Sequence, residues 1–274
     1  QSHLLLSLWA KAYGELARGV VVIAAYADDQ LVAALPLIRR KRFGLTSLRF
    51  MGTRIAQFDD MLLDDRCGAQ ALEGIRQAVA SLGADYLEAR RVRDDSAFWN
   101  FDAQEAHVFE RLEAPFACLS TRVGDDGPGN AYSSKDRSNH RRRLRRLSER
   151  GTLTMGVHAP GSTAVTLAME AIAMKRRFLR RIGVMTSAVY APEFAGFFAG
   201  AAADPASGLL VSTIEIDGRP VAVDLSFLCK GTGFGHVLAT EPEFEREAIG
   251  SLLVHHVFEA ASQAGVKTFD LLAP

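Results

Sequence analysis

The chain has 274 residues, of which 48% are hydrophobic and 23% charged, and its formal net charge is zero. This composition is typical of a soluble globular protein with one large domain or two smaller ones. No apolar run approaches the roughly 20 residues of a membrane-spanning helix. The cysteines lie far apart, which argues against a disulfide framework or a zinc site, so we expect reduced thiols, no metal and a cytoplasmic location.

The first half of the chain contains a strand–turn–strand pattern. Its opening residues, QSHLLLSLWA, have neither an initiator Met nor a basic segment, which predicts an internal start. From Val20, the sequence VVVIAAYADDQLVAALPLIRRK places two apolar runs around a polar turn at residues 28–30. A helix is predicted from Ala69 to Leu82, ending at Gly83, and a strand from Asp85 to Ala89.

A turn-rich region separates the two halves. Pro115 to Arg122 predicts a strand, and the segment from Gly124 to Asn130, GDDGPGN, predicts a loop. We therefore predict an N-terminal lobe at residues 1–114 and a C-terminal lobe at residues 115–274.

The second half begins with helices and ends in a strand meander. A helix capped by Ser133 or Ser134 runs to Glu149. The remaining predicted elements are a strand at 152–158, helices at 163–181 and 192–203, two strands within 207–230 around the turn 217–220, a strand at 233–239, a helix at 250–264 and a strand at 268–272.

Both halves show the same order of elements. In each, a strand hairpin is followed some 35 residues later by a helix that ends in glycine and by a further strand. The order favours a duplicated α/β unit. A chance similarity between two ordinary strand–turn–strand segments is the alternative.

The chain resembles the GNAT acyltransferase superfamily, and within it the two-lobed CelD/BcsL-type proteins associated with cellulose biosynthesis. The motifs that carry the resemblance are LVAALPLIRRKR and LRFMG in the first half, and RRRLRRLSERG, IEIDGRPVAVDLSF, VLATEPEF and the run from Gly250 to FDLLAP in the second. The resemblance implies an α+β fold of tandem GNAT-like lobes, each a mostly antiparallel twisted sheet flanked by helices. Such proteins are also similar in architecture to Fem-type aminoacyl transferases, which use aminoacyl-tRNA.

The strand at 233–239 and the helix after it predict a site for acetyl-CoA or another acyl-CoA. A helix N-terminus favours phosphate, and a strand end that splays from its neighbour can pair with the pantetheine amides. The predicted contacts are Val237, Leu238, Ala239, Arg246, Gly250 and Ser251. The spacing from Arg246 to Gly250 departs from the family pattern Arg/Gln-x-x-Gly-x-Gly/Ala, and the resemblance implies a further helix and two strands beyond the last strand.

Acyl transfer needs a base that removes a proton from the nucleophile. The candidates are Asp224, His236 and Glu241, and the acceptor is expected between the lobes. The alternatives are a carboxylate paired with an arginine for Asp224 and an ordinary sheet residue for His236. We expect His255 and His256 to be surface or packing residues. Asp59 and Asp60 are expected to form a solvated turn, and the alternative is that they face the cleft from the first lobe.

Basic residues are concentrated in three runs. Residues 135–150 carry a local charge of +6, residues 175–181 carry +5 and residues 39–42 carry +4. The segment from Arg137 to Arg150 is a candidate site for an anionic ligand, such as a polysaccharide precursor, tRNA or the CoA phosphates. The alternative is a solvated helix paired with acidic residues elsewhere. The sequence pI of about 7.2 and the lack of interleaved aromatic residues make tRNA the weaker choice.

Three hypotheses follow from these patterns. The first is an acyl-CoA-dependent N-acyltransferase acting on a small-molecule or glycan-linked acceptor. The second is a Fem-like transferase that takes an aminoacyl group from tRNA, and the third is a non-catalytic binding protein with the same fold.

Overall fold

The computed structural model describes residues 2–102, 106–119 and 134–271. Contacts divide the chain into two compact units, Gln1–Leu112 and Glu113–Pro274. The predicted loop at 124–130, the alternative cap Ser133 and the chain from residue 272 onward lie outside the described residues.

The first unit consists of a sheet, the helix that covers it and short helices. Its elements are α1 (His3–Ala12), α2 (Gly14–Ala17), β1 (Val20–Ala27), β2 (Gln30–Arg42), β3 (Leu45–Phe50), β4 (Leu62–Leu63), α3 (Ala69–Ser81), β5 (Tyr86–Glu88) and α4 (Phe98–Asp102). The sheet order is β1-β2-β3-β5, and β4 pairs with β2. The pairing of β3 with β5 is parallel, whereas the other pairings are antiparallel.

The predicted turn between β1 and β2 is a two-residue hairpin. Asp28 and Asp29 have φ of 48° and 60°, as a type I′ turn requires and as aspartate tolerates. The long strand β2 is buried at its centre, and its side chains Leu35 and Leu37 pack with Phe50 and with Ile75 of α3. The hairpin and this core define the first unit.

The second unit contains a larger sheet. Its elements are β6 (Phe116–Cys118), α5 (Ser134–Ser148), β7 (Leu153–His158), α6 (Ser162–Arg181), α7 (Ser187–Tyr190), α8 (Pro192–Ala203), β8 (Leu209–Ile216), β9 (Arg219–Cys229), β10 (Thr232–Thr240), α9 (Ile249–Gln263) and β11 (Thr268–Asp270). The strand order is β6-β11-β10-β9-β8-β7, and β10 and β11 pair in parallel.

Helices cover this second sheet. Alternate side chains of β9 face different helices: Ala222 lies in the core with Leu252 of α9, and the Phe227 ring contacts Phe197 and Phe198 of α8. The predicted α+β fold class, with mostly antiparallel sheets flanked by helices, is confirmed. In both units an antiparallel hairpin is followed by a third strand, a helix and a strand that pairs in parallel with the third strand; in the first unit the short β4 also precedes the helix.

Candidate functional site

The strand β10 runs on past the end of its neighbour β11. Among the described residues, Thr232, Gly233 and Phe234 of β10 pair with β11, whereas β10 continues to Thr240. A cavity of about 230 Å³ lies in the opening between these two strands, within the second unit. Its apolar lining comes from Leu238, Val254, Val257, Phe258, Phe269 and Leu271. Its polar lining comes from Lys175, Asp224 and His236, beside Gly235.

Asp224 is the buried carboxylate of this cavity. Its residue exposure is 5%, and the Ser226 hydroxyl donates a hydrogen bond to its Oδ1. Burial raises the pKa of Asp224 to about 7, although the Ser226 hydrogen bond opposes that rise. A carboxylate with a pKa near neutrality can take a proton and release it again at physiological pH.

His236 lines the same cavity because a β-bulge displaces it from the ladder. Gly235 pairs with Ser226 and Val237 pairs with Leu225, so His236 is the extra residue. Its Nδ1 lies 3.2 Å from the carbonyl oxygen of Phe234. Its role as a base stays a prediction.

Glu241, the third predicted base, lies in an ion pair. The guanidinium of Arg177 donates to its carboxylate at 2.7 Å, and Arg219 lies at 3.7 Å. Glu241 does not line the cavity between β10 and β11. It comes directly before a 3-10 turn, Pro242–Glu247, whose acidic residues also pair with arginines: Glu243 with Arg219, Glu245 with Arg181 and Glu247 with Arg150.

The edge of β10 that faces the opening carries the predicted pantetheine contacts. The N–H of Glu241 donates to the carbonyl of Val221, and hydrogen bonds alternate along an antiparallel ladder. This alternation points the peptide groups of Val237 and Ala239 toward β9 and those of Leu238 toward the opening. Leu238 is therefore the predicted contact whose backbone is best placed to pair with a ligand.

The N-terminus of α9 lies beside the end of β10. Ala248 precedes it with φ of 53°, and no side chain of the described residues caps the helix. A Cβ at Gly250 would meet Leu238 and Thr240 at ordinary distances of 3.6 and 3.8 Å, so packing does not require glycine. Ser251 accepts a hydrogen bond from Arg143 of α5 at 3.0 Å, and Arg246 is exposed.

The basic run 137–150 covers α5 and the two residues that follow it. Arg150, just after α5, forms an ion pair with Glu247. Arg141, Arg145 and Arg146 are exposed. Both interpretations of the segment 137–150, an anionic-ligand site and a solvated helix paired with acidic residues, stay predictions. On α6, Arg177 pairs with Glu241 and Arg181 pairs with Glu245.

Lys175 is a cavity residue that the sequence patterns did not single out. It belongs to the basic run 175–181, yet it continues the apolar stripe of α6 formed by Ala168, Ala171, Ile172 and Leu179. Its ammonium donates to the carbonyl of Leu238 at 3.4 Å, and burial lowers its pKa. The sequence signal that could have identified Lys175 is its helical spacing from the apolar residues of this stripe.

The structure tests the predictions for the histidine pair at 255–256 and for the aspartate pair at 59–60. The His255 ring packs against His140 with centroids 4.5 Å apart, and His256 Nε2 lies 3.1 Å from the Gly156 carbonyl oxygen, which agrees with packing residues. The solvated turn at Asp59 and Asp60 is wrong. Asp59 is buried, and Asp60 accepts hydrogen bonds from the backbone N–H groups of Met61 and Phe98 and from the Ser96 hydroxyl.

The described residues were predicted to form neither a metal site nor a membrane-spanning helix. Among those residues, no cluster of histidine, cysteine, aspartate or glutamate is arranged to hold a metal ion. None of the helices in the described ranges has the length and hydrophobicity needed to cross a membrane.

The fold is similar to that of several solved structures. FemX aligns with a TM-score of 0.65 at 12% identity, covering 100% of this chain and 84% of that chain. The C-terminal domain of a proposed lysylphosphatidylglycerol synthetase from Agrobacterium fabrum aligns with a TM-score of 0.58 at 14% identity, covering 98% and 77%. L-PGS from Bacillus licheniformis gives 0.58 at 13% identity, covering 99% and 76%. At these identities the similarity concerns the fold.

The search of curated proteins returned no match. A family model described as an acetyltransferase (GNAT) domain matches residues 134–274, which include the whole of the opening between β10 and β11. Because this match spans just over half of the chain, the chain belongs to the GNAT acetyltransferase family.

Proposed function

We propose that the chain is an N-acyltransferase that uses acetyl-CoA or another acyl-CoA, with its reaction centre in the cavity between β10 and β11. The observation that supports this most directly is the buried Asp224 in a cavity of about 230 Å³ beside the free edge of β10. Lys175 and His236 line the same cavity, so donor, acceptor and proton-transferring groups can meet there.

The donor end of the cavity has the features that a pantetheine arm needs. The peptide groups of Leu238 face the opening, and apolar side chains of α9 and β11 cover the other side. The predicted phosphate contacts, Arg246, Gly250 and Ser251, stay part of the proposal. Arg143 joins them because its guanidinium already lies against Ser251.

In this proposal Asp224 accepts a proton from the attacking amine of the acceptor. Its pKa near 7 leaves a substantial carboxylate fraction at neutral pH, and its burial keeps bulk water from competing. The acceptor is a small molecule or a glycan-linked amine. The resemblance to CelD-type proteins supports a glycan-linked acceptor and a role beside cellulose synthesis, and acetyl-CoA use fits the expected cytoplasmic location.

Calorimetric titration with acetyl-CoA and with free CoA tests the donor without a known acceptor. We expect saturable binding of both ligands, and a rise in the melting temperature that grows with ligand concentration. The D224N variant should bind the donor as the wild type does, because Asp224 acts on the acceptor. No binding of either ligand at millimolar concentration contradicts the proposal.

A Fem-like, aminoacyl-tRNA-dependent transferase is the second candidate. The exposed arginines of α5 favour it, as does the fold similarity to FemX. This candidate predicts salt-dependent tRNA binding that weakens in R141Q/R145Q/R146Q. The triple variant R39Q/R40Q/R42Q is the control, since it removes the same charge from exposed residues of β2. Equal weakening by both variants contradicts a specific site on α5.

The third candidate is a binding protein without catalysis. The spacing from Arg246 to Gly250 motivates it. It predicts no binding of acyl-CoA and no tRNA complex, and turnover of any acyl donor would exclude it.

A further inference from the structure

Lys175 occupies an unusual position for a lysine. It lies on the apolar stripe of α6 and lines the cavity between β10 and β11. Its ammonium donates to the Leu238 carbonyl, on the part of β10 that lies beyond its pairing with β11. No carboxylate of the described residues lies within ion-pair distance of Lys175. A partly buried cation without a counter-ion suits a site where negative charge develops during the reaction.

We propose that Lys175 protonates the departing sulfur of the acyl thioester, and this proposal rests on the acyl-CoA-dependent function proposed above. The acyl donor is a thioester and the acceptor is an amine. Asp224 is the base and Lys175 is the acid of the same cavity.

The proposed step balances in atoms and charge. The acceptor nitrogen forms a bond to the thioester carbonyl carbon and transfers a proton to the Asp224 carboxylate. The carbon–sulfur bond then breaks, and its electron pair remains on sulfur. Lys175 transfers a proton to that sulfur, so the products are an amide and a free thiol, with Asp224 protonated and Lys175 neutral. Exchange of protons with solvent restores both residues.

The other titratable groups of the cavity are less suited to this role. Asp224 of β9 and His236 of β10 are the remaining titratable residues in its described lining, and α9 and β11 contribute apolar ones. Asp224 is needed as the base, and the His236 Nδ1 lies against the Phe234 carbonyl. The lowered pKa of Lys175, caused by burial, makes its ammonium a better acid than an exposed lysine.

The first test is the thiol pKa of enzyme-bound CoA, measured from the ultraviolet absorption of the thiolate. An ammonium beside the sulfur stabilises the thiolate, so we expect the thiol pKa in the wild-type complex to fall by about one unit, which is about a tenfold larger thiolate fraction. In K175M the thiol should titrate as in free CoA. Methionine keeps the length and apolar stem of the side chain, and R180M is the control on an exposed position of the same helix.

The outcomes separate this inference from the proposed function. If CoA binds but its thiol titrates identically in wild type and K175M, the role of Lys175 is overturned and the acyltransferase proposal stands. If CoA does not bind to the folded wild type, the acyltransferase proposal fails and this inference fails with it.

Turnover with a series of donors gives the second test. We expect K175M to lower turnover of an acyl-CoA about 100-fold, near the lower end of general-acid contributions because a thiolate is already a fair leaving group. A thioester of an acidic thiophenol needs no proton on departure, so K175M should use it nearly as fast as the wild type. Equal losses with both donors would indicate a merely structural lysine and overturn the inference. Circular dichroism and melting temperature confirm that K175M is folded.

Discussion

The two units share a topology but differ in what lies between their parallel strands. In the first unit, the region beside β3 and β5 is closed: Asp59 and Arg90 exchange two hydrogen bonds, and Arg49 pairs with Glu88 at 2.7 Å. The cavity left there measures about 10 Å³. In the second unit, the corresponding opening holds about 230 Å³. The two units therefore share a strand order, but the described residues fill the opening of the first unit and leave a cavity in that of the second.

Each of the two openings contains a buried carboxylate, Asp59 in the first unit and Asp224 in the second. Burial raises the pKa of both, to about 6 for Asp59 and to about 7 for Asp224. Asp59 is committed to the Arg90 backbone N–H, whereas Asp224 accepts from the Ser226 hydroxyl on its own strand and faces a cavity. We therefore expect a structural role for Asp59, whereas the proposed proton transfer uses Asp224.

Replacing Asp224 should have the largest effect. We expect D224N to lower the turnover of acyl-CoA about 10²–10⁴-fold, because the amide cannot accept the proton. Wild-type turnover should rise with pH through about 7, as Asp224 becomes deprotonated. Steady-state kinetics across pH measure both effects. D59N is the matched control, and a comparable loss in D59N would break the distinction between the two openings.

The pH dependence of stability should separate the two carboxylates. Both folded-state pKa values lie above the ordinary aspartate value of 3.8, so each group favours folding most when it is protonated. Its contribution to stability is lost as pH rises to its folded pKa. For Asp224 this loss is up to about 4 kcal/mol between pH 4 and 7. Urea unfolding at several pH values should show that D224N removes this loss. D59N should remove a smaller loss of stability, which ends near pH 6. Identical curves of stability against pH for the two variants would contradict the different roles expected for Asp59 and Asp224.

Filling the open cavity should make the second unit resemble the first. Val254 of α9 lines the cavity and is half-buried. We expect V254W to weaken acetyl-CoA binding about 100-fold, because the indole occupies volume that the donor needs. Calorimetry measures the affinity, and Q263W, at an exposed position of the same helix, is the control. If V254W binds acetyl-CoA with unchanged affinity, the donor does not bind in this opening.

Opening the closed region of the first unit should cost stability without affecting catalysis. We expect D59A to lower the free energy of unfolding by about 1–3 kcal/mol, because the partly buried N–H of Arg90 loses its acceptor. Urea denaturation measures the change. Turnover of the folded variant should equal that of the wild type, and a large loss of turnover would contradict a purely structural role.

Glu241 should show the smallest effect. Its partner Arg177 is 48% exposed, and partly exposed ion pairs contribute little to stability. We expect E241Q to lower the free energy of unfolding by less than about 1 kcal/mol and to change turnover less than about threefold. A loss of turnover similar to that of D224N would instead identify Glu241 as the base.

Much of the architecture followed from local patterns. The hairpin turns at 28–29 and 217–218, the apolar strand β9 and the helix α9 all have short-range signals, namely turn residues with positive φ and regular hydrophobic spacing. Strand ends were less predictable: the last strand is predicted at 268–272, whereas β11 ends at Asp270. Three residues are too few for a clear hydrophobic pattern of their own, so the end of β11 depends on its pairing partners.

The candidate site was only partly predictable. Asp224 and His236 were identified as chemically capable residues on central strands, and both line the cavity. The ion pairs of Glu241 were not identified, because Arg177 and Arg219 reach it from distant parts of the chain. Lys175 was not identified because it belongs to a basic run, and its charge predicts a solvent-exposed side chain. Its position on the apolar stripe of α6 instead places it toward the cavity.

The order of elements and the repeated hairpin–strand–helix–strand pattern follow from spacing along the chain, and so do the residue types available for acyl transfer. Which opening the described residues fill, and which carboxylate faces a cavity, follows from three-dimensional packing. Cavity volume, burial and pairing depend on side chains that are far apart in sequence, such as Lys175 with Leu238 and Asp59 with Arg90. The difference between a closed and an open pair of parallel strands is therefore a property of packing.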